Sequence, residues 1–343
     1  MALVGIIANP ASGKDIRRLV AFGSVFDNQE KVRIVRRVLL GLAAMGMERV
    51  CYMPDTYHIV ERALRRIQVP LEVFPADFRA RGEPSDSTEA ARVMEALGTG
   101  CVVTLGGDGT NRVVAKGSCA VPVLPISTGT NNVFPAMIEA TVAGLAAALV
   151  ARGLVPEEEA TFRSTQLEVL RDGEPADLAL VDAVVCDDVF LGSRAVWDIA
   201  KVRQIVLNRA APGSIGFSSI GGLLHAVAPD APEGLYLELG PGGRPVTAPV
   251  APGLIETVGV TTLRVLGVGD RVEVRGAPAV VALDGEREVE VTGRERVSIR
   301  LSPHGPRVVD VERTMAAAAR RGVLAPRRRG GRPCPATPNV PTS

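Results

Sequence analysis

Val102-Val103-Thr104-Leu105-Gly106-Gly107-Asp108-Gly109-Thr110 reads as an apolar strand that runs into three glycines with one carboxylate among them. The next residues, Asn111-Arg112-Val113-Val114-Ala115-Lys116, read as the start of a helix. Glycines at a strand-to-helix junction let backbone N–H groups close on a phosphate where a side chain would collide. Asp108 is then expected at the mouth of the turn, at the C-terminal end of a sheet strand, where open α/β sheets bind ligands. Thr110 is placed to cap the helix. Asp-Gly is also a hairpin signal, so a plain turn is the competing reading of this stretch alone.

The same alternation extends to both sides. Leu3-Val4-Gly5-Ile6-Ile7-Ala8 is a buried-type strand, and Asp27-Asn28 precedes a helical pattern with Val32, Val35, Val38, Leu39 and Leu42 on one face. Short strands follow at Arg49-Val50-Cys51-Tyr52-Met53 and Leu71-Glu72-Val73-Phe74, with Asp55 as cap of a helix starting near Thr56. Asp86-Ser87-Thr88-Glu89 has the form of a capping box. Val121-Pro122-Val123-Leu124-Pro125-Ile126 is the strand after the glycine turn. Strands alternating with helices predict a parallel sheet with helices on both faces.

Past an Ala-rich helix at about 141–152 the texture changes. Short β-type runs appear at 164–170, 178–186, 235–239, 257–260, 271–275, 278–283 and 296–301, separated by Gly, Pro and Asp-rich turns. These predict a β-rich, sandwich-like second domain. The expected division is an α/β nucleotide-binding domain at 1–152, a β-rich substrate-binding domain at 153–312 and an Arg/Pro-rich disordered tail at 313–343. A ligand cleft is expected between the two domains.

Composition narrows the function classes. No apolar run reaches the roughly 18 residues that span a bilayer, and Ala8-Asn9-Pro10 interrupts the apolar start, so a cytoplasmic protein without membrane contact is expected. The five cysteines are scattered with no C-x-x-C pair, and the three histidines are far apart, which argues against a disulfide framework or a zinc site. Of 39 basic residues, seven fall in 313–343, where no acidic residue occurs, leaving 32 against 38 acidic in the rest. That acidic body gives no reason to expect nucleic-acid binding. Lysine is rare: Lys14, Lys31, Lys116 and Lys201 are the only four.

Four further segments carry chemistry. Ile7-Ala8-Asn9-Pro10-Ala11-Ser12-Gly13-Lys14 follows a strand and imitates a Walker A loop, but Ala8 replaces the first Gly and Asp15 follows the lysine, so a P-loop fold is rejected. Ser12 serves there as a cap in the simplest reading. In Ser127-Thr128-Gly129-Thr130-Asn131-Asn132 two amide side chains offer donors and acceptors to a nucleotide's ribose or base edges, or else cap a helix. The Gly/Ser-rich stretch at 213–222 reads equally as a hydroxyl-lined close-approach loop, with Ser214 in it, or as a surface loop. Asp284-Gly285-Glu286 reads first as a hairpin turn between two β runs.

With these in hand, the chain resembles the superfamily of NAD kinases and diacylglycerol-type kinases. Gly106-Gly107-Asp108-Gly109-Thr110 matches its GGDGT signature, Asn9-Pro10-Ala11-Ser12-Gly13 its NPxSG opening, and Thr128-Gly129-Thr130-Asn131-Asn132 its second polar loop. The stretch 213–222 is similar to the NAD kinase GSTAYSLSAGG segment, one residue shorter, with Ile215 and Phe217 where Thr and Tyr are usual. The opening, residues 5–19, looks most like the AcoX-type ATP-NAD kinase branch, often associated with acetoin catabolism. The Asn-Glu pair that contacts ribose in typical NAD kinases has no clear copy, Asp182-Ala183 being the nearest placement. Asn111, the Thr128–Asn132 loop and Asp284-Gly285-Glu286 lean toward the lipid-kinase side.

The resemblance implies an NAD kinase-like fold and transfer of the γ-phosphoryl of ATP (or polyphosphate), with Mg2+, to the 2′-hydroxyl of NAD. Asp108 would accept the hydroxyl proton. Gly106, Gly107, Gly109 and Thr110 would meet phosphates, with Lys14, Asn9 and Ser12 beside them, while Thr128, Asn131 and Asn132 would orient the acceptor. Asp182, Asp187 and Asp188 would supply ribose contacts or metal ligands; Ser214, Asp284 and Glu286 are further candidates. A homo-oligomer is expected. The alternatives are a kinase for a lipid or other small alcohol, and a nucleotide-binding regulator without turnover.

Overall fold

The computed structural model describes residues 2–13, 26–187 and 199–325. In its first half strands and helices alternate as β1 (Leu3–Ala8), α1 (Asn28–Ala44), β2 (Arg49–Tyr52), α2 (Ile59–Leu64), β3 (Glu72–Pro75) and α3 (Ser85–Ala96). There follow β4 (Cys101–Gly106), α4 (Asp108–Gly117), β5 (Val123–Ser127) and α5 (Ala140–Ala151). Strands β1 to β5 pair in parallel in the order β3-β2-β1-β4-β5. Alternate residues of β1 serve opposite cores: Val4, Ile6 and Ala8 face the α1 and α5 side, whereas Leu3 and Ile7 face the α3 and α4 side. A strand buried on both faces must be apolar throughout, which is why β1, β4 and β5 contain almost no polar residue.

The second half begins with α6 (Glu157–Ala160), β6 (Thr161–Arg163), β7 (Gln166–Arg171), β8 (Glu174–Ala179) and β9 (Asp182–Cys186). It continues with β10 (Val202–Leu207), α7 (Phe217–Gly222), β11 (Glu233–Ala251) and β12 (Leu254–Gly267). The last elements are β13 (Arg271–Glu273), β14 (Ala279–Leu283), β15 (Glu286–Val291), β16 (Val297–Ser302), β17 (Arg307–Val309) and α8 (Val311–Arg320). A six-stranded antiparallel sheet, β12-β11-β10-β9-β14-β15, packs on a four-stranded one, β13-β16-β7-β8. Leu167, Val169, Ile299 and Leu301 meet Val206, Val281 and Leu283 in the core between them. This is the expected sandwich.

Several local expectations need correction. The chain does not leave the first sheet at residue 152: β17 pairs in parallel with β5 and carries β6 on its outer side, completing a seven-stranded sheet. Helix α8 then runs across the expected start of the tail at 313 and packs Ala317 and Ala318 with Leu149, Val155 and Ala160. Arg313 pairs with Asp310 three residues back and with the distant Asp230, and Arg321 pairs with the distant Glu159, so these arginines have acidic partners. Asp86 does not cap α3. It sits inside the helix and its carboxylate turns back to accept the N–H groups of Arg81, Gly82 and Glu83. Asp55 does accept the Tyr57 and Ile59 amides, but the helix it serves begins at Ile59. Among the described residues no helix is long and apolar enough to cross a membrane.

Candidate active site

The ends of β1, β4 and β5 place three loops side by side, and their side chains hold one another. The Asn9 amide donates to Thr110 Oγ1 at 2.9 Å and its Oδ1 accepts the Ala11 N–H. Ser12 Oγ donates to the Asn9 carbonyl and meets Thr128 Oγ1 at 3.1 Å. Thr104 Oγ1 donates to Asn111 Oδ1, whose amide nitrogen closes the β4–α4 turn on the Gly107 carbonyl. Asn9, Ser12, Thr110, Asn111 and Thr128 thus form a brace beneath the turn. Thr110 does not cap α4: the helix starts at Asp108, and its cap position, Gly107, makes no side-chain bond.

The glycines of the turn are there for close approach. A Cβ on Gly106 would collide with the Thr110 side chain, and one on Gly107 would stand 2.6 Å from Asn132 Oδ1. Asn132 is held by donating to Ser127 Oγ at 2.8 Å and to the Gly129 carbonyl. Gly107→Ala is therefore expected to displace Asn132 and to weaken nucleotide binding, measured by calorimetric titration, at least 10-fold with the fold retained.

Asp108 opens α4 and points across to the third loop. Its carboxylate takes a bifurcated hydrogen bond from the Val133 N–H at 3.0 and 3.1 Å and a second from the Phe134 N–H at 2.7 Å. Backbone donors of this kind favour the charged form and fix the rotamer. Asp108 lines a cleft that opens to solvent, together with Asn131, Asp182 and Asp284. The facing wall is apolar, with Ile199 from the turn before β10, Ile215 and Phe217 at the start of α7, and Val250 and Leu254 at the tip of the β11–β12 hairpin. The cleft lies between the parallel sheet and the sandwich, as expected.

Asp284 and Gly285 have positive φ (51° and 80°) and join β14 to β15 as a two-residue turn, the conformation that Asp-Gly favours. The turn has a second task. The buried Asp284 carboxylate accepts the N–H groups of Leu180, Val181 and Asp182, which shapes the floor of the cleft. Burial pushes its carboxyl above the usual range, opposed by Arg112 and by those three amides. Glu286 reaches the start of α4, where a Cβ on Gly109 would lie 3.2 Å from its Oε1. Arg112, 2% exposed, stands 3.4 Å from Asp177, 3.9 Å from Asp284 and 3.8 Å from Glu286, and so ties α4 to the sandwich. Lys116 completes that tie by pairing with Asp177 at 2.6 Å.

Other sequence candidates fall elsewhere. Ser214 is on an exposed turn and donates to the Ala211 carbonyl. The hydroxyls of Ser218 and Ser219 donate to the carbonyls of Arg209 and Gly216, so this segment gives the cleft apolar surface instead of a hydroxyl lining. Asp187 pairs with Arg203 and does not line the cleft. Lys14 and Asp188 lie outside the described residues, as does the chain from 326 onward.

Two basic residues escape a motif reading. Lys31 is fully buried in α1, and its ammonium donates to the carbonyls of Asn9 and Ser12 and to Asn28 Oδ1, at 2.7–3.0 Å. The available signal is a charge on the core-facing stripe of an amphipathic helix. Arg209, just past β10, is 4% exposed; its guanidinium lies 4.6 Å from the Phe134 ring centre and donates to Ser164 Oγ at 2.6 Å. Burial pushes this group down to about 10, while Asp108 and Asp284 hold it up. No motif marks it.

Comparison with known proteins divides the chain in the same way. The ATP-NAD kinase N-terminal domain matches residues 4–154, and the acetoin catabolism protein X C-terminal domain matches residues 165–304. Acetoin catabolism protein X of Cupriavidus necator is 40% identical over 336 residues, 94% of each chain. The crystal structure of yeast NADH kinase complexed with NADH superposes with a TM-score of 0.52 at 14% identity, covering 96% of this chain and 90% of that one. At that identity the likeness is one of fold.

Proposed function

This chain belongs to the acetoin catabolism protein X family, within the superfamily of NAD kinases and diacylglycerol-type kinases, and on that premise we propose that it transfers the γ-phosphoryl of ATP to the 2′-hydroxyl of NAD. The observation that carries the reading is Asp108: a carboxylate fixed by two backbone amides, at the head of a glycine turn, on the wall of an interdomain cleft. Phosphoryl transfer asks for positioning and charge neutralisation more than for covalent chemistry. The Gly106-Gly107-Asp108-Gly109 turn and the start of α4 offer backbone N–H groups to phosphates. Asp108 takes the proton of the attacking hydroxyl, and Asn131 orients the acceptor.

Magnesium enters this scheme with the nucleotide. Such an ion is held by one or two carboxylates, phosphates and water. Asp182, which lines the cleft, would be the carboxylate to hold it. Magnesium supplies neutralisation of phosphate charge when bound.

A second reading is favoured by the cleft wall. The described lining contains no lysine or arginine and is apolar on one side, which suits a lipid or another small alcohol as acceptor. The deciding assay incubates the protein with ATP, magnesium and NAD and measures NADP, with NADH, a diacylglycerol and polyphosphate in parallel arms. NADP formed at a rate well above the Asp108→Asn background is the expected result. Its absence, with phosphorylated diacylglycerol formed instead, would transfer the assignment to the second reading.

A further inference from the structure

Arg209 belongs to the sandwich, while Asp108 belongs to the parallel sheet, and one aromatic ring joins them. The Arg209 guanidinium lies over the Phe134 ring, and the Phe134 N–H donates to Asp108 at 2.7 Å, closer than the Val133 N–H. The other end of the guanidinium is anchored on Ser164 Oγ, and the backbone carbonyl of Arg209 accepts Ser218 Oγ. Its Nε is buried with no hydrogen-bond acceptor among the described residues. A charge so enclosed is costly unless something uses its field.

The charged groups around Asp108 show what uses it. Asp182 and Asp284 share the cleft with Asp108, and Glu286 stands at the start of the same helix. A cation beside such a gathering offsets its negative field. Arg112 is engaged with Asp177, Asp284 and Glu286. Arg209 is the buried cation on the Phe134 side, within the field of both Asp108 and Asp284.

We propose that Arg209 is a positioning residue for Asp108: it clamps Phe134, whose amide fixes the carboxylate, and its charge keeps that carboxylate ionised among its acidic neighbours. The proposal rests on the reading of Asp108 as the proton acceptor. An acceptor must be ionised to work, so activity falls as pH drops through its pKa. Removing a nearby positive charge raises that pKa, and the acid limb of the rate profile moves to higher pH.

Arg209→Gln keeps a donor for Ser164 and loses the charge; Arg209→Lys keeps the charge. In the phosphotransfer assay the Gln variant is expected to lower kcat about 10-fold or more with little change in KM for ATP. Its acid limb should move up by about one pH unit, and Arg209→Lys should return the limb toward the wild-type position. Phe134→Leu, which removes the ring but leaves the amide, should move the limb in the same direction by less. A limb unmoved in both neutralised and ring-deleted variants overturns the proposal.

A second measurement needs no turnover. The thermal midpoint lost on Arg209→Gln is expected to be larger in the wild-type background than in Asp108→Asn, because coupled groups are non-additive. Equal losses in the two backgrounds would also overturn the proposal. Wild-type protein without kinase activity would overturn the kinase reading alone, and the midpoint comparison would then decide Arg209.

Discussion

Asp108→Asn is expected to lower phosphoryl transfer by about 10²–10⁴-fold, the range that a positioned proton acceptor contributes. The substitution keeps the volume and removes the charge. It also changes the local hydrogen bonding in a defined way. Oδ1 accepts from both Val133 and Phe134, so an amide oxygen in its place keeps both donors. The NH2 in place of Oδ2 loses the second branch of the Val133 bond and opposes that N–H. A stability cost of about 0.5–1.5 kcal/mol follows from weakening one hydrogen bond. The activity loss should far exceed what that local change explains, and Asp108→Glu separates the two causes. The longer side chain restores charge but cannot keep both amide bonds, so it should recover a small part of the rate. Steady-state kinetics on folded variants decides this; an Asn variant with more than half of wild-type turnover removes Asp108 from the mechanism.

The largest expected loss of stability lies at Lys31. Its ammonium is wholly buried and donates to two carbonyls of the loop after β1 and to the Asn28 side chain at the start of α1. Lys31→Met fits the space but leaves those three acceptors without this donor. Each buried acceptor left unpaired costs of the order of 1–3 kcal/mol before relaxation. The Asn9 carbonyl keeps the Ser12 hydroxyl as a donor, so the cost falls mainly on the Ser12 carbonyl and Asn28 Oδ1. We expect a loss of about 3 kcal/mol, measured by urea unfolding. The Asn9–Ser12 segment should loosen with it, seen as faster amide exchange there than in β3. A loss under about 0.5 kcal/mol would mean that the loop carbonyls find other donors.

These two residues mark the reach of sequence reading from opposite sides. Asp108 was readable because glycines on both sides of a carboxylate, after an apolar strand, have few uses other than close backbone approach. Lys31 carries no motif, and the lysine that attracted notice, Lys14, owed that notice to a broken Walker pattern. The strands β1 to β5 were found within about two residues because strands buried on both faces must be uniformly apolar. Strands β10, β15 and β17 and the short β6 were missed. β17 is three residues long and depends for its place on β5, which lies far back in the chain.

The polar residues of the motifs show a further limit. Asn9, Ser12, Thr110, Thr128 and Asn132 were expected to touch a ligand, and their side chains bind one another or the backbone. Hydroxyl and amide groups that brace a turn look the same in a sequence as those that hold a nucleotide. Asn131 differs from its neighbour Asn132 only by where the loop directs it.

The residues alone were enough for the layered α/β architecture, the sandwich, the glycine turn with its carboxylate and the kinase superfamily, because each of these is written in local periodicity and contiguous motif. Folding settled the rest: which polar side chains face the cleft, how its far wall became apolar, and how Arg112, Arg209 and Lys31 came to be buried around it. Those outcomes depend on contacts between residues from 19 to more than 100 positions apart. Burial and electrostatic fields arise from the three-dimensional sum of neighbours, so a buried charge acquires its partners, and with them its role, when distant segments pack.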